Sequence, residues 1–378
     1  MKKAISVLVG LIFCMTLFSG CVTSSEWNPL KSGGEVKIAV LGSSSVFEER
    51  KDFFAGVDLA IEDLAQKNVK VSYKFFDDEG NYDKGVSLAK EVAEDSTYLL
   101  AFSLQNFETV DTISSLFEES KKPLVIVDGC YDSTMEKGYN YIFNLTVSAK
   151  DAGNALGQYA INHSYKWVSI SHSGKYSLDF QEGFRDATEN SSTSNIVDLV
   201  AGPNKDSEVE ATIARWKELG VQAVVLSFDD MDWAVQLVKQ IKTLCPEMQI
   251  MGDQYFNNLG YMNDYGQYLE GLVMSSSFPV DSNDRLQNFY NNYESRITYL
   301  DITSITAQGY DIVNMIVDKL DDVSNVTDFI SGLKSTGGYE GITGIKFKLN
   351  GCINKTPKYW IVKNGVVYRE ENLNAAGK

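Results

Sequence analysis

The 378-residue chain reads as an α/β protein of two lobes, each built on a parallel, doubly wound sheet. Three observations lead there. Short β-branched runs alternate with segments of helical period, the alternation restarts at Trp167 after a first series, and a stretch of the first series echoes in the second.

The first series opens with Val-Lys-Ile-Ala-Val-Leu-Gly over residues 36–42, a strand by its β-branched content. Phe53, Phe54, Val57, Ala60, Ile61 and Leu64 then recur at helical spacing. Strands are predicted over 69–76, 98–102 and 123–127, with helices over 83–94 and 107–121 between them. In the second series, strands over 167–171, 196–200, 221–227, 248–252 and 271–275 alternate with helices. One helix covers 178–190. Another carries Val209, Ile213 and Trp216, with Ser207 and Glu210 spaced as a capping box and Gly220 as its stop. A third presents Ala234, Leu237, Val238, Ile241 and Leu244 and ends before Pro246. Residues 345–349, 359–362 and 366–368 read as short late strands.

The echo is between 52–60 and 179–187, offset by 127 positions, with matches at Asp52/Asp179, Phe53/Phe180, Gly56/Gly183 and Ala60/Ala187. A glycine inside a helix costs about 1 kcal/mol against alanine, so its recurrence points to close helix packing in both lobes.

At the N-terminus, Lys2 and Lys3 precede a mostly apolar run over 4–18, then Ser19, Gly20 and Cys21, the order of a bacterial export signal. Residues 22–34 hold too few apolar residues for a packed structure and read as a tether. The formal charge is −17, and losing residues 1–20, with two lysines and no acid, takes it to −19. Such acidity excludes a nucleic-acid partner and a basic membrane-binding face. Cys130, Cys245 and Cys352, the cysteines beyond Cys21, have neither disulfide-framework nor zinc spacing, so no metal and no cofactor is expected.

Phe18-Ser19-Gly20-Cys21 resembles a lipobox, in which the cysteine becomes the lipid-bearing N-terminus. With it, Val36 to Gly42, the run Gly56-Val57-Asp58-Leu59-Ala60-Ile61-Glu62-Asp63-Leu64, Phe76-Asp77-Asp78, Lys122-Pro123-Leu124-Val125-Ile126 and Ala307-Gln308-Gly309-Tyr310-Asp311 together resemble the Leu/Ile/Val-binding family of ABC-transporter solute receptors, of the type 1 periplasmic binding protein fold. The resemblance implies two Rossmann-like lobes joined by three crossovers at a hinge, closing on a ligand. It divides the chain into a signal peptide (1–20), a lipid-anchored tether (21–34), lobe 1 (35–145 plus 276–332) and lobe 2 (146–275 plus 333–378). It further implies a monomer held to the membrane through Cys21, outside the cytoplasm, that delivers a small-molecule ligand to a membrane permease.

Ligands of such sheets sit beyond the carboxyl ends of the strands. The loops there supply the candidate set Ser103, Asn106, Cys130, Tyr131, Tyr176, Asp229, Asp230, Asp253, Gln254 and Phe278. Ser103 and Asn106 have a helix-capping role open to them beside ligand contact. Tyr176 matches a family tyrosine that lines the cleft, whereas Phe278 and Trp233 fit core or hinge as well as lining. Asp229, Asp230 and Asp232 are either solvated and serving a helix dipole or, facing the cleft, partners for an ammonium. Gln105-Asn106-Phe107-Glu108 and Asp128-Gly129-Cys130-Tyr131 replace the hydroxyl-rich turns with which the family holds an α-carboxylate. A larger or planar amine, amide or amino-acid derivative is therefore expected over plain Leu, Ile or Val.

With two histidines, His163 and His172, no Gly-x-Ser-x-Gly turn and no phosphate loop, the chain carries no enzyme signature. The expected function is that of an importer's binding protein. A sensory receptor domain signalling to a membrane partner is the alternative.

Overall fold

A computed structural model describes residues 27–257, 259–277, 284–297, 304–321 and 323–370; Cys21 and Phe278 lie outside the described residues. The first lobe's sheet contains β1 (Glu35–Gly42), β2 (Lys70–Asp77), β3 (Leu100–Ser103), β4 (Leu124–Ile126) and β5 (Ile142–Asn144). These strands pair in parallel in the order β2-β1-β3-β4-β5. The second lobe's sheet contains β6 (Trp167–Ser173), β7 (Asn195–Ala201), β8 (Ala223–Phe228), β9 (Gln249–Gly252), β10 (Val273–Ser276), β11 (Lys358–Lys363) and β12 (Val366–Arg369). Its order is β12-β11-β10-β9-β8-β6-β7, parallel except for the hairpin β11-β12, which joins β10 antiparallel. The inner strands β3 and β8 are buried along their whole length, as a sheet covered by helices on both faces requires.

Close helix pairs give the sequence echo its physical reason. The helix Lys51–Gln66 packs on Ser304–Leu320 so tightly that a Cβ on Gly56 would stand 1.8 Å from the Thr306 carbonyl oxygen, and one on Gly309 2.0 Å from that of Phe53. In the second lobe, Ala149–Asn162 packs on Tyr176–Thr188 in the same way. There a Cβ on Gly183 would meet the Lys150 oxygen at 1.9 Å, and one on Gly153 the Phe180 oxygen at 1.8 Å.

Three expectations need correction. The first eight described residues are not all tether: Trp27 and Leu30 pack on the first lobe's core, Trp27 lies 5.7 Å from the Phe329 ring, and the buried Asn28 amide donates to the Leu320 and Val323 carbonyls. One tryptophan and one satisfied asparagine dock a segment otherwise too polar to fold. Next, residues 345–349 do not form a strand of the second lobe. Ile345 and Phe347 enter the first lobe's core, where Phe347 meets Phe143 at 5.0 Å, and Cys352 bridges Asn144 of β5. Gly351, at φ +83 and with no room for a Cβ beside the Ile142 carbonyl, lets the chain press against β5, so much of 333–353 belongs with the first lobe. Finally, the Ser207/Glu210 capping box does not form. The helix Asp206–Glu218 starts two residues earlier, after Lys205, without a side-chain cap, while Glu208 reaches back to accept from the Asn204 N–H at 3.2 Å.

Candidate functional site

Between the lobes lies a cavity of about 380 Å³, and its walls come from strand ends and from the loops and helix starts that follow them. The first lobe supplies Val46, Leu104 to Glu108, Asp128 and Tyr131, and the second supplies Tyr176, Phe228, Asp229, Met231 and Tyr255. Phe107 is the centre of an aromatic cluster that crosses the lobes, with ring centroids 5.4 Å from Tyr131, 5.3 Å from Tyr176 and 5.9 Å from Tyr255. Rings at these separations add directional contact to apolar burial.

Polar contacts hold the lobes together around the cluster. The Tyr255 hydroxyl donates to the Asp128 carbonyl at 3.0 Å. Within the first lobe, Arg50 braces the turn that Tyr255 grips by pairing with the Asp128 carboxylate, its Nε donating to Oδ1, and only 16% and 20% of the two side chains are exposed. Lys175 Nζ of the second lobe lies 4.1 Å from the centre of the Tyr131 ring. Asp132 accepts from the Ala149 and Lys150 N–H groups at 2.9 Å each, so a first-lobe carboxylate caps a second-lobe helix.

Of the residues singled out from sequence, Asn106, Tyr131, Tyr176 and Asp229 share this cavity. Asn106 also caps its helix, Oδ1 accepting from the Thr109 N–H at 2.9 Å. Asp229 accepts from the Lys175 N–H at 3.2 Å, and Gly174 admits it: a Cβ there would lie 2.0 Å from Asp229 Oδ2. Asp229 is exposed at the cavity's rim, and the partial desolvation it meets there pushes its carboxyl above the ordinary range. Tyr176 is 2% exposed, and its hydroxyl has no hydrogen-bond partner.

The other candidates do not line the cavity. Ser103 is buried at the end of β3 and accepts from the Gln105 N–H at 3.3 Å. Cys130 is a core residue beside Met135 and Cys352, which corrects its expected ligand contact. Asp230 is exposed and caps the helix Met231–Leu244 through the Trp233 N–H at 2.9 Å. Trp233 itself is tied to the Pro203 carbonyl at 2.7 Å and packs on the second lobe's core. Gln254 faces a separate void of about 60 Å³ behind Asp128 and Tyr255. Phe278 lies outside the described residues.

Asp253 is wholly buried, and its Oδ1 caps the turn Gln254–Phe256 through the Tyr255 N–H at 3.0 Å. Its Oδ2 makes no geometrically complete hydrogen bond, though the Ser227 hydroxyl lies near enough to steady the charge. Desolvation pushes this carboxyl up to about 7 and that of Asp132 up to about 6. Both groups bind protons more tightly when folded, so between about pH 4 and 7 these two carboxyls carry more protons in the native chain than in the unfolded one. Their contribution then favours folding at the acid end and fades as pH rises through the folded values. We expect the melting temperature to climb as pH falls from 8 to 5.5, and Asp253→Asn to raise the pH 8 value while flattening that slope. A variant as pH-sensitive as the parent would remove Asp253 from the account.

Sequence reasoning missed Arg50, Phe107 and Tyr255. The two aromatics stand in strand-end loops and could have been chosen on that ground. Arg50 joins two helices away from any strand end, so no local signal marks it.

The family model for the periplasmic binding proteins matches residues 35–362. No curated protein matches the chain significantly. Among solved structures, it resembles an ABC transporter substrate-binding protein from Desulfitobacterium hafniense in complex with Leu, with a TM-score of 0.77 and 18% identity over 89% of this chain and 99% of that one. It is also similar to the branched-chain amino acid transporter substrate-binding protein of Streptococcus pneumoniae in complex with isoleucine (TM-score 0.74, 18% identity, 88% and 97% of the chains). A solute-binding protein of an ABC transporter from R. palustris, in complex with benzoate, has a TM-score of 0.75 at 14% identity over 89% and 96%.

Proposed function

Because the chain belongs to the periplasmic binding protein family, we propose that it is the extracytoplasmic substrate-binding component of an ABC importer, and that a small polar solute binds between its lobes. The carrying observation is the cavity of about 380 Å³ walled by strand ends of both sheets, a volume suited to a solute of amino-acid or small aromatic size. Hinge motion opens and closes it, and the contacts that opening would break are the Tyr255–Asp128 hydrogen bond and the packing of Phe107 on Tyr176 and Tyr255. No bond of the solute is made or broken. It passes to a membrane permease. Structural neighbours described as ABC-transporter binding proteins support transport over the sensory alternative.

The export signal and lipobox support a tether through a lipid on Cys21. Among the described residues no helix is long and apolar enough to cross a membrane. Ligand contacts fall to Asn106, Tyr131, Tyr176 and Asp229, with Phe107 and Tyr255 beside them. A thermal-shift and titration screen of amino acids, amides, amines and aromatic acids tests the reading. One class should bind saturably at one site per chain; saturable binding by none would reject it.

A further inference from the structure

The cavity's chemistry is one-sided. Its lining holds three carboxylates, Glu108, Asp128 and Asp229, and neither lysine nor arginine. Arg50 already matches Asp128, which leaves Glu108 and Asp229 to face the solute. At four strand-end turns of the cleft, a backbone N–H that could help hold a ligand carboxylate is already engaged by one of the chain's own side chains. Asn106 occupies the Thr109 N–H, Asp229 that of Lys175, Asp230 that of Trp233 and Asp253 that of Tyr255.

Two lining residues keep buried polar atoms without partners, Gln105 Oε1 and Tyr176 Oη. The Gln105 amide is oriented by Asp78, an acceptor-only carboxylate to which Nε2 donates at 2.9 Å, so its free oxygen can only accept. A buried acceptor left empty is costly, and a donor from the ligand removes that cost. The aromatic cluster already meets a cation once, on the Tyr131 ring, where Lys175 Nζ sits.

Building on the solute-binding reading, we propose that the cleft selects an organic cation: an amine or guanidine with N–H donors, on an apolar or aromatic body, without a carboxylate. Asp229 pairs the charge, Gln105 Oε1 takes an N–H, Tyr176 Oη completes the hydrogen bonding, and Phe107, Tyr131 and Tyr255 cover the body.

Calorimetric titration of the protein with tyramine, phenethylamine and agmatine, against tyrosine, leucine and benzoate, tests this. At least one amine or guanidine should bind saturably, and tyramine should exceed tyrosine by about tenfold or more, since an unpaired carboxylate is desolvated in the latter. Asp229→Asn keeps a cap acceptor for Lys175 and should weaken the cation by about tenfold or more with little change in melting temperature, while Tyr176→Phe should weaken it by about fivefold. Leucine or benzoate binding with the cations silent would overturn the cation selectivity and leave the solute-binding reading intact. Cation binding indifferent to Asp229→Asn would overturn it too. Silence from every probe counts against both.

Discussion

Replacing Arg50 with alanine is expected to destabilise the protein by about 3 kcal/mol and to loosen lobe closure with it. The guanidinium is mostly enclosed and is paired with an equally enclosed Asp128. Removing one partner leaves the other as an uncompensated charge, for which losses of about 3–5 kcal/mol are usual, and the residual exposure of both groups places this pair at the low end. The loss reaches further because the Asp128 carbonyl is what Tyr255 grips from the second lobe, across a turn where Gly129 sits at φ +103. Denaturant unfolding measures the first effect. A double-mutant cycle with Asp128→Asn isolates it, since that change removes the stranded charge and should recover part of the loss. A single-variant cost under 1 kcal/mol would show the pair to be an ordinary surface contact.

Gly56→Ala and Gly183→Ala should each cost about 3 kcal/mol or more, despite substituting a better helix former. Alanine gains about 1 kcal/mol in helix propensity. Against that, each new methyl would stand within 2 Å of a backbone carbonyl oxygen on the facing helix, an atom that cannot rotate aside. The helices must separate, opening voids along the Phe53 or Phe180 seam, and overpacking of this sort outweighs the propensity gain. Because Gly56 serves the first lobe and Gly183 the second, each variant should melt its own lobe early and turn one thermal transition into two. Melting within a degree or two of the parent for either would refute the close-packing account.

Much of the architecture was readable because parallel sheets are covered on both faces. The apolar run 221–227 and the period of Ala234, Leu237, Val238 and Ile241 leave few alternatives. The strand-end rule likewise drew attention to Asn106, Tyr131, Tyr176 and Asp229, since loop position alone implies proximity to the cleft. What stayed hidden depends on contacts far apart in sequence. Arg50 and Asp128 are separated by 78 positions, Tyr255 and its acceptor by 127, and neither pairing leaves a local trace. Ile345 and Phe347 alternate as a strand would, yet alternation does not say which lobe claims them, and the first lobe's core does. Cys130 shows the converse error: its loop faces the cleft while its own side chain points back into the core. Trp27 and Asn28 were hidden by composition, because an average over 22–34 dilutes the two residues that dock.

Hydrogen-exchange mass spectrometry of the protein, with and without a solute that binds saturably, tests most directly that the lobes close on it from both sides. Slower exchange is expected together in the first-lobe segments around 104–108 and 128–131 and in the second-lobe segments around 174–176, 228–231 and 253–256. Protection confined to one lobe, or appearing away from these strand ends, would contradict it.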